Sequence, residues 1–347
     1  MLTVGIDVHQ RFSAVCVLDE RGAVVLERMV KGGIAELVDL VRGLGQPTQV
    51  CFEASIGYGL VHDSLRAVAR RVVVAHPGQL RLIFRSKRKN DRVDARKLAM
   101  LLLLDQIPPV HVPSLDVRQW RTLIEHRRRL VDKRTRAKNG VRAVLRSLSI
   151  KAPARRGLWT GPGRVWLAGL ELPEADGLRI ELLSEEVTHF DRMIARVEKR
   201  LNEIAAGHPG VWLLQTIPGV GPRTAEVFAA YVDDPHRFRG TRTVGSYFGL
   251  VPCQDQSGAT NRLGHITRTG PATGRKHLVE AAWRASQLSP TLKAHFERIA
   301  HGDKERRKIA LVATARHLSS VMLAMMKSGE VWRESVIDAE ASGGVAA

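Results

Sequence analysis

The stretch Leu2-Thr3-Val4-Gly5-Ile6-Asp7-Val8-His9 decides the fold. Val4, Ile6 and Val8 alternate with Gly5 and Asp7, a period of two that belongs to a strand with one face in a core. Asp7 then projects from the face opposite the apolar side chains. Two more β-rich runs follow, Ser13 to Leu18 and Ala23 to Met29, with Arg21-Gly22 as the turn between them. Ile34, Leu37, Val38 and Val41 have helical spacing, and Gly45 ends that helix. Gln49 to Phe52 is a predicted strand, Gly59 to Ala69 a helix, and Val72 to Ala75 a strand stopped by Pro77. Asp91 to Leu104 is a helix that closes before Pro108-Pro109. The order β-β-β-α-β-α-β-α gives an α/β domain over residues 1–110, with its first and fourth strands side by side.

Beyond it the character changes. Leu115 to Leu148 reads as one long basic helix, in which Ala137, Val141, Val144 and Leu148 form an apolar seam suited to a helical partner. Gly157 to Gly177 is rich in Gly and Pro and reads as a loop or small insertion. A second helix is expected from Leu182 to Ala206. The pair over residues 111–208 is either a coiled-coil arm for dimerisation or a plain helical linker. A mainly α domain over 209–335 follows. It has a helix from Thr224 to Val232, a polar Gly-rich stretch from Phe248 to Gly274, and helices near Lys276 to Arg284 and Glu305 to Lys327. The tail, 336–347, is expected to be disordered.

The chain of 347 residues carries 54 Lys plus Arg against 35 Asp plus Glu, so 54 − 35 gives a net charge of +19. Its 44% hydrophobic content excludes a disordered polymer. Three cysteines, Cys16, Cys51 and Cys253, are too few for a disulfide scaffold and fit a reducing cytoplasm. No long uncharged apolar run or basic leader is present, so neither membrane span nor signal peptide is expected. The last helix reads as a packing helix with a basic end. The charge points to a polyanion, with nucleic acid first. It clusters at Arg85 to Lys89, Arg127 to Arg129, Lys133 to Arg136 and Lys304 to Lys308. Candidate nucleic-acid contacts are Arg88, Lys89, Arg127, Arg128, Lys133, Arg134, Lys138, Arg223, Arg262 and Arg268.

Four carboxylates can converge on this plan. Asp7 interrupts an apolar strand, Glu53 ends another, and Asp91 and Asp94 are three apart at a helix start and share a face. Gathered acids repel unless a cation neutralises them, and an oxygen-rich set suits Mg2+ or Mn2+. Two such ions could clamp the attacking and leaving oxygens of a phosphodiester. Each acid also has a plainer reading: Asp91 as a helix N-terminal charge, Asp94 paired with Arg88 or Lys97, Glu53 as a loop residue.

Ser257 precedes Gly258 in a polar loop followed by Arg262, Arg268, Arg275 and Lys276. A serine hydroxyl attacks phosphorus if its proton is removed and the phosphate charge is balanced. His265 is the candidate base, and Ser246, Thr260 and Thr267 are competing hydroxyls. A Ser-Gly turn is the plain alternative. Ile217-Pro218-Gly219-Val220-Gly221-Pro222 reads either as a helix-hairpin-helix turn whose N–H groups hold a DNA phosphate or as a tight interhelical turn.

The element order and the four acids resemble the RuvC-like branch of the RNase H fold. More narrowly, the chain resembles the transposases of the insertion sequence 110 family, which include the Piv-type DNA invertases. The resemblance rests on Gly5-Ile6-Asp7-Val8-His9, Glu53-Ala54-Ser55, His76-Pro77 and Lys89-Asn90-Asp91-Arg92-Val93-Asp94-Ala95, and on the C-terminal segment around Ser257. It implies that Asp7, Glu53, Asp91 and Asp94 bind divalent metal. It also implies that Ser257, in a Ser-Gly-Gly-like motif here altered to Ser257-Gly258-Ala259, is a nucleophile that links transiently to DNA. A further departure is Thr267-Arg268-Thr269-Gly270 where a Ser-Lys-rich version is usual. The resemblance further implies a dimer or tetramer, and a bridge RNA that pairs with donor and target DNA. The expected function is a bacterial, cytoplasmic, nucleoid-associated DNA recombinase. A RuvC-like junction nuclease without a serine nucleophile, a site-specific invertase, and a non-catalytic nucleic-acid-binding protein are the alternatives.

Overall fold

The computed structural model describes residues 1–83, 90–153, 157–257 and 260–334. They form two compact units, Met1–Leu115 and Asp116–Ala347. The expected metal domain, helical arm and serine domain are a finer division than this; the helices of 116–208 share a unit with the C-terminal segments. The basic run Arg85 to Lys89, with the candidate contacts Arg88 and Lys89, lies outside the described residues, as does the 336–347 tail.

Unit 1 is built on a five-stranded sheet of order β3-β2-β1-β4-β5. Its strands are β1 (Leu2–Val8), β2 (Phe12–Leu18), β3 (Val24–Lys31), β4 (Thr48–Glu53) and β5 (Arg71–Ala75). β1, β2 and β3 form the antiparallel meander, and β4 and β5 run parallel to β1. The first and fourth strands are therefore neighbours, as the sequence predicts. Alternation sorts the two faces. Val4, Ile6, Val15, Val17, Val50 and Phe52 pack against Leu37 and Val41 of α1 (Ile34–Gly43) and Val61 and Leu65 of α2 (Tyr58–Arg66). Cys16, Leu18, Cys51 and Ala75 face the other way, toward α4 (Asp91–Leu103). A short helix absent from the sequence reading, α3 (Pro77–Ile83), opens at the proline that stops β5. Proline lacks the N–H that the first helical turn leaves unused, so it starts helices as readily as it ends strands.

Unit 2 is helical apart from one hairpin. Two helices of 33 residues, α5 (Leu115–Ser147) and α7 (Glu174–Ala206), run antiparallel. Arg127 pairs with Glu198, and Arg134, one heptad on, pairs with Asp191, one heptad back. The expected seam is buried at Ala137, Val141 and Val144, against Ile180 and Leu183 of α7 and Leu167 of α6 (Gly161–Ala168). The stretch Gly157 to Gly177 thus holds a helix, and α7 starts at Glu174 instead of Leu182. Thr160 caps α6, accepting from the Gly163 N–H at 3.4 Å, with Pro162 in its first turn.

The remaining helices are α8 (Pro209–Leu214), α9 (Pro222–Val232), α10 (Thr243–Tyr247), α11 (Ala272–Leu288), α12 (Pro290–Ala300) and α13 (Arg307–Ser328). Three helices close the chain where two are expected: Ser289 caps α12, and Pro290 again opens it. Among the described helices, α13 has the length and apolarity to cross a membrane. Here it buries Ala310, Ala315, Leu318, Met322 and Leu323 in the core of its unit, as a packing helix does. The polar stretch Phe248 to Gly274 contains a two-stranded sheet, β6 (Pro252–Ser257) and β7 (Thr260–Ile266). All three cysteines are free.

Candidate functional site

The segment Asn90-Asp91-Arg92-Val93-Asp94-Ala95 has a local explanation. Asn90 is the N-cap of α4, its side-chain oxygen accepting the Arg92 N–H at 3.1 Å. Asp91 and Asp94 fill the first turn, where the helix dipole favours negative charge. They continue the stripe formed by Ala95, Leu98, Ala99 and Leu102, the buried face of the helix. That face lies on the sheet at Gly5. A Cβ added to Gly5 would stand 2.1 Å from the Ala95 carbonyl oxygen and 2.4 Å from the Ala99 nitrogen. No side chain fits there, so helix backbone touches strand backbone, and the stripe's acidic end arrives beside Asp7.

The result is a cluster of Asp7, His9 and Asp91, one ligand atom from each lying within 4.8 Å of the others. His9 Nε2 is 3.3 Å from Asp7 Oδ2 and 3.5 Å from Asp91 Oδ2. The nitrogen is shut off from solvent and makes no well-directed hydrogen bond. Burial holds the Asp7 carboxyl above its usual range; Asp91 and Asp94 add to this, while His9 opposes it. A shielded nitrogen without a directed partner, between two carboxylates that repel, is a donor set that a divalent cation completes.

Asp94 shares the helix face with Asp91 and pairs with Lys97 at 3.3 Å. Glu53 ends β4 on the α4-facing side of the sheet, one step beyond the last strand pair, Ile6 with Phe52. The cluster within 4.8 Å contains neither of these two acids and includes a histidine instead. His9 is the cluster member that sequence reasoning misses. The strand period marks it, since Asp7 and His9 are two apart and lie on one face.

Ser257 is the last residue of β6, exposed, and paired with Thr260 across the hairpin end. His265 does not stand beside it. Its Nδ1 lies 2.9 Å from the Ile266 carbonyl and 3.9 Å from Cys253 Sγ, roughly 15 Å along the ribbon from the Ser257 end. Arg262 and Arg268 are exposed on and after β7, and Arg268 has a left-handed φ of 55°.

The cations of α5 are largely committed within the unit. Arg127 and Arg134 pair with α7, Arg128 with Glu125 and Asp132, and Lys138 sits 5.2 Å from the Trp159 ring centroid. Lys133 is exposed. Arg223 bonds the buried Glu226 at 2.6 Å, whose other oxygen accepts from Trp120 Nε1 at 2.9 Å. The Pro218-Gly219 turn is a packing element: Gly219 has φ 91°, and a Cβ there would be 2.5 Å from the Ala285 nitrogen of α11. Ile217 and Val220 on either side are buried. This favours the interhelical-turn reading for Gly219.

A family model described as Transposase, for DEDD transposases of the IS110 type, matches residues 4–150. A second, described as Transposase IS116/IS110/IS902 family, matches residues 212–297. The chain is 26% identical over 315 residues to a probable family 20 transposase of Pseudomonas aeruginosa, covering 90% of this chain and 92% of that one. It is likewise 26% identical over 340 residues to the transposase for insertion sequence element IS1111A of Coxiella burnetii, covering 95% and 91%. With both halves matched by models of one family, and relatives aligned along nearly the whole length, the chain belongs to the IS110 family of transposases.

Proposed function

We propose that this protein cuts and rejoins DNA as the transposase of an insertion sequence, using a divalent cation in unit 1 and Ser257 in unit 2. The observation that carries the reading is the meeting of Asp7 and Asp91 around the shielded His9 Nε2. Unit 1 is read as an RNase H-like domain of the RuvC branch. Asp7, Asp91 and His9 would hold the cation, with Asp94 and Glu53 on the same side of the sheet completing the acidic set. A bound Mg2+ or Mn2+ would polarise a phosphodiester and balance the charge that develops on its oxygens.

Ser257 supplies the nucleophile. Its hydroxyl oxygen forms a bond to phosphorus as one P–O bond to a sugar breaks. The serine proton passes through solvent to the departing sugar oxygen, and the strand is held as a phosphoserine diester. A sugar hydroxyl attacking that phosphorus reverses the step and frees the serine. The exposed Lys133, Arg262 and Arg268 and the +19 net charge support nucleic-acid contact, by DNA and by a bridge RNA that chooses sequence through pairing. The paired helices α5 and α7 are read as a coiled-coil arm, and the working particle as a dimer or tetramer at the nucleoid.

The test is excision of a matched element in cells, with trapping of covalent protein–DNA adducts. Ser257→Ala is expected to abolish both with folding intact, and Asp7→Asn to abolish both while DNA binding persists. Full strand cleavage by the Ser257→Ala protein would replace this reading with a metal-dependent nuclease that has no serine step.

A further inference from the structure

Unit 2 carries a second group of polar side chains, on α12 and α13. The imidazoles of His295 and His317 stack, with centroids 4.4 Å apart and planes 16° from parallel. An Arg298 guanidinium nitrogen lies 3.1 Å from His295 Nδ1. Arginine can only donate, so Nδ1 accepts and the ring proton sits on Nε2. Arg316 precedes His317 and runs across α10, where a Cβ added to Gly245 would meet its Cγ at 2.9 Å. Both arginines are exposed, and both histidines are partly buried.

The charge balance distinguishes this group from the paired arginines of α5 and α9. Arg127, Arg128, Arg134 and Arg223 each have a carboxylate partner. Among the described residues, no carboxylate lies within ion-pair distance of Arg298 or Arg316. Burial first, then His317 and the two arginines, push His295 down to about 4. Burial and Arg298 also lower His317. At neutral pH the group therefore has two positive charges, two neutral rings and no counter-charge. It is rich in donors, and the ligand that answers such a surface is an anion with several acceptor oxygens. Gly245, under Arg316, accepts from the Leu250 N–H at 2.9 Å, and β6 starts two residues later. The group thus adjoins the base of the hairpin that bears Ser257.

We propose that Arg298, Arg316, His295 and His317 form a contact site for a backbone phosphate of DNA or RNA. This rests on the reading of the chain as a nucleic-acid enzyme, and it assigns to α12 and α13 a positioning contact that holds a strand at the root of the serine hairpin.

The experiment measures binding of the full chain to a labelled DNA duplex and to a labelled RNA hairpin across a KCl series, by fluorescence anisotropy. One lost phosphate contact flattens the plot of log Kobs against log[KCl] by about 0.9 for duplex DNA and weakens binding about fivefold at 0.15 M salt. Arg298→Gln, with the Arg298→Gln/Arg316→Gln pair, is expected to do this for at least one of the two ligands. The ligand affected identifies the strand. Lys293→Gln, on the same helix and ion-paired with Glu297 at 3.9 Å, is expected to leave the slope unchanged. Arg298 is exposed, so its single variant is read beside the pair that also changes Arg316, which packs against α10. Slopes equal to wild type for both ligands, or a Lys293→Gln effect as large as that of Arg298→Gln, overturn the proposal. A wild-type chain that binds neither ligand overturns the functional reading beneath it.

Discussion

Replacing Gly5 with alanine tests whether strand–helix contact sets the acidic cluster. The added methyl would stand 2.1 Å from the Ala95 oxygen and 2.4 Å from the Ala99 nitrogen. Both are backbone atoms of α4, so no side chain can rotate away. Restoring ordinary contact requires α4 to retreat by about 1.4 Å, from 2.1 Å to about 3.5 Å. Overpacking of a rigid core typically costs 1–3 kcal/mol, and backbone on both sides places this site near about 3 kcal/mol. For a unit of this size that lowers the unfolding midpoint by about 10 °C. The same retreat carries Asp91 and Asp94 away from Asp7, and a misplacement of about 1 Å in a catalytic constellation costs on the order of 100-fold. Differential scanning calorimetry reads the first effect, and Mn2+ titration calorimetry together with excision activity reads the second. A Gly5→Ala protein with unchanged midpoint and unchanged Mn2+ affinity would refute the claim that this glycine positions the cluster.

Glu226→Ala removes the acceptor for both Trp120 Nε1 and Arg223, leaving a buried donor and an uncompensated guanidinium; a loss of about 3 kcal/mol is expected in urea unfolding. Glu226→Gln keeps an acceptor for Trp120 and should lose less. Gly219→Ala faces both a φ of 91° and the Ala285 nitrogen at 2.5 Å, so unit 2 should unfold at least 5 °C lower, about 2 kcal/mol. For pH, burial and neighbouring cations (Arg127, Lys276 and Arg223 for His277; Arg298 and Arg316 for His295) push both histidines down to about 4. The unfolded chain then binds more protons between that value and the ordinary histidine range. Stability should be full above about pH 6.5 and fall toward pH 4. A His277→Gln/His295→Gln protein with as steep an acid decline as wild type would contradict this.

The sequence made unit 1 readable where period and burial agree. Val4, Ile6 and Val8 mark β1 because one of its faces is fully apolar. Asp91 and Asp94 stand out because an N-cap and a small-residue stripe frame them. His9 is hidden because its place in the cluster depends on Asp91, eighty-odd residues away along the chain. The hairpin β6–β7 leaves no apolar alternation to detect, since Gln254, Asp255, Gln256 and Ser257 are all exposed. The helices α3, α8 and α12 open on Pro77, Pro209 and Pro290, residues that a breaker rule reads as endings. Glu226 is concealed for the opposite reason: a charged helix residue suggests solvent, yet this one is 1% exposed because Trp120 and Arg223 satisfy it.

The ribbon carrying Ser257 has a mechanical consequence. Beyond Cys253 the rest of β6 is exposed, and β7 is exposed until Ile266. A lone pair of strands with neither side covered gains little from its own chain, and two strands alone are marginal in water. Its aim is therefore set by whatever it lies against. On the proposed reading, Ser257 would be trained on its target only by docking, which would confine strand breakage to the assembled complex.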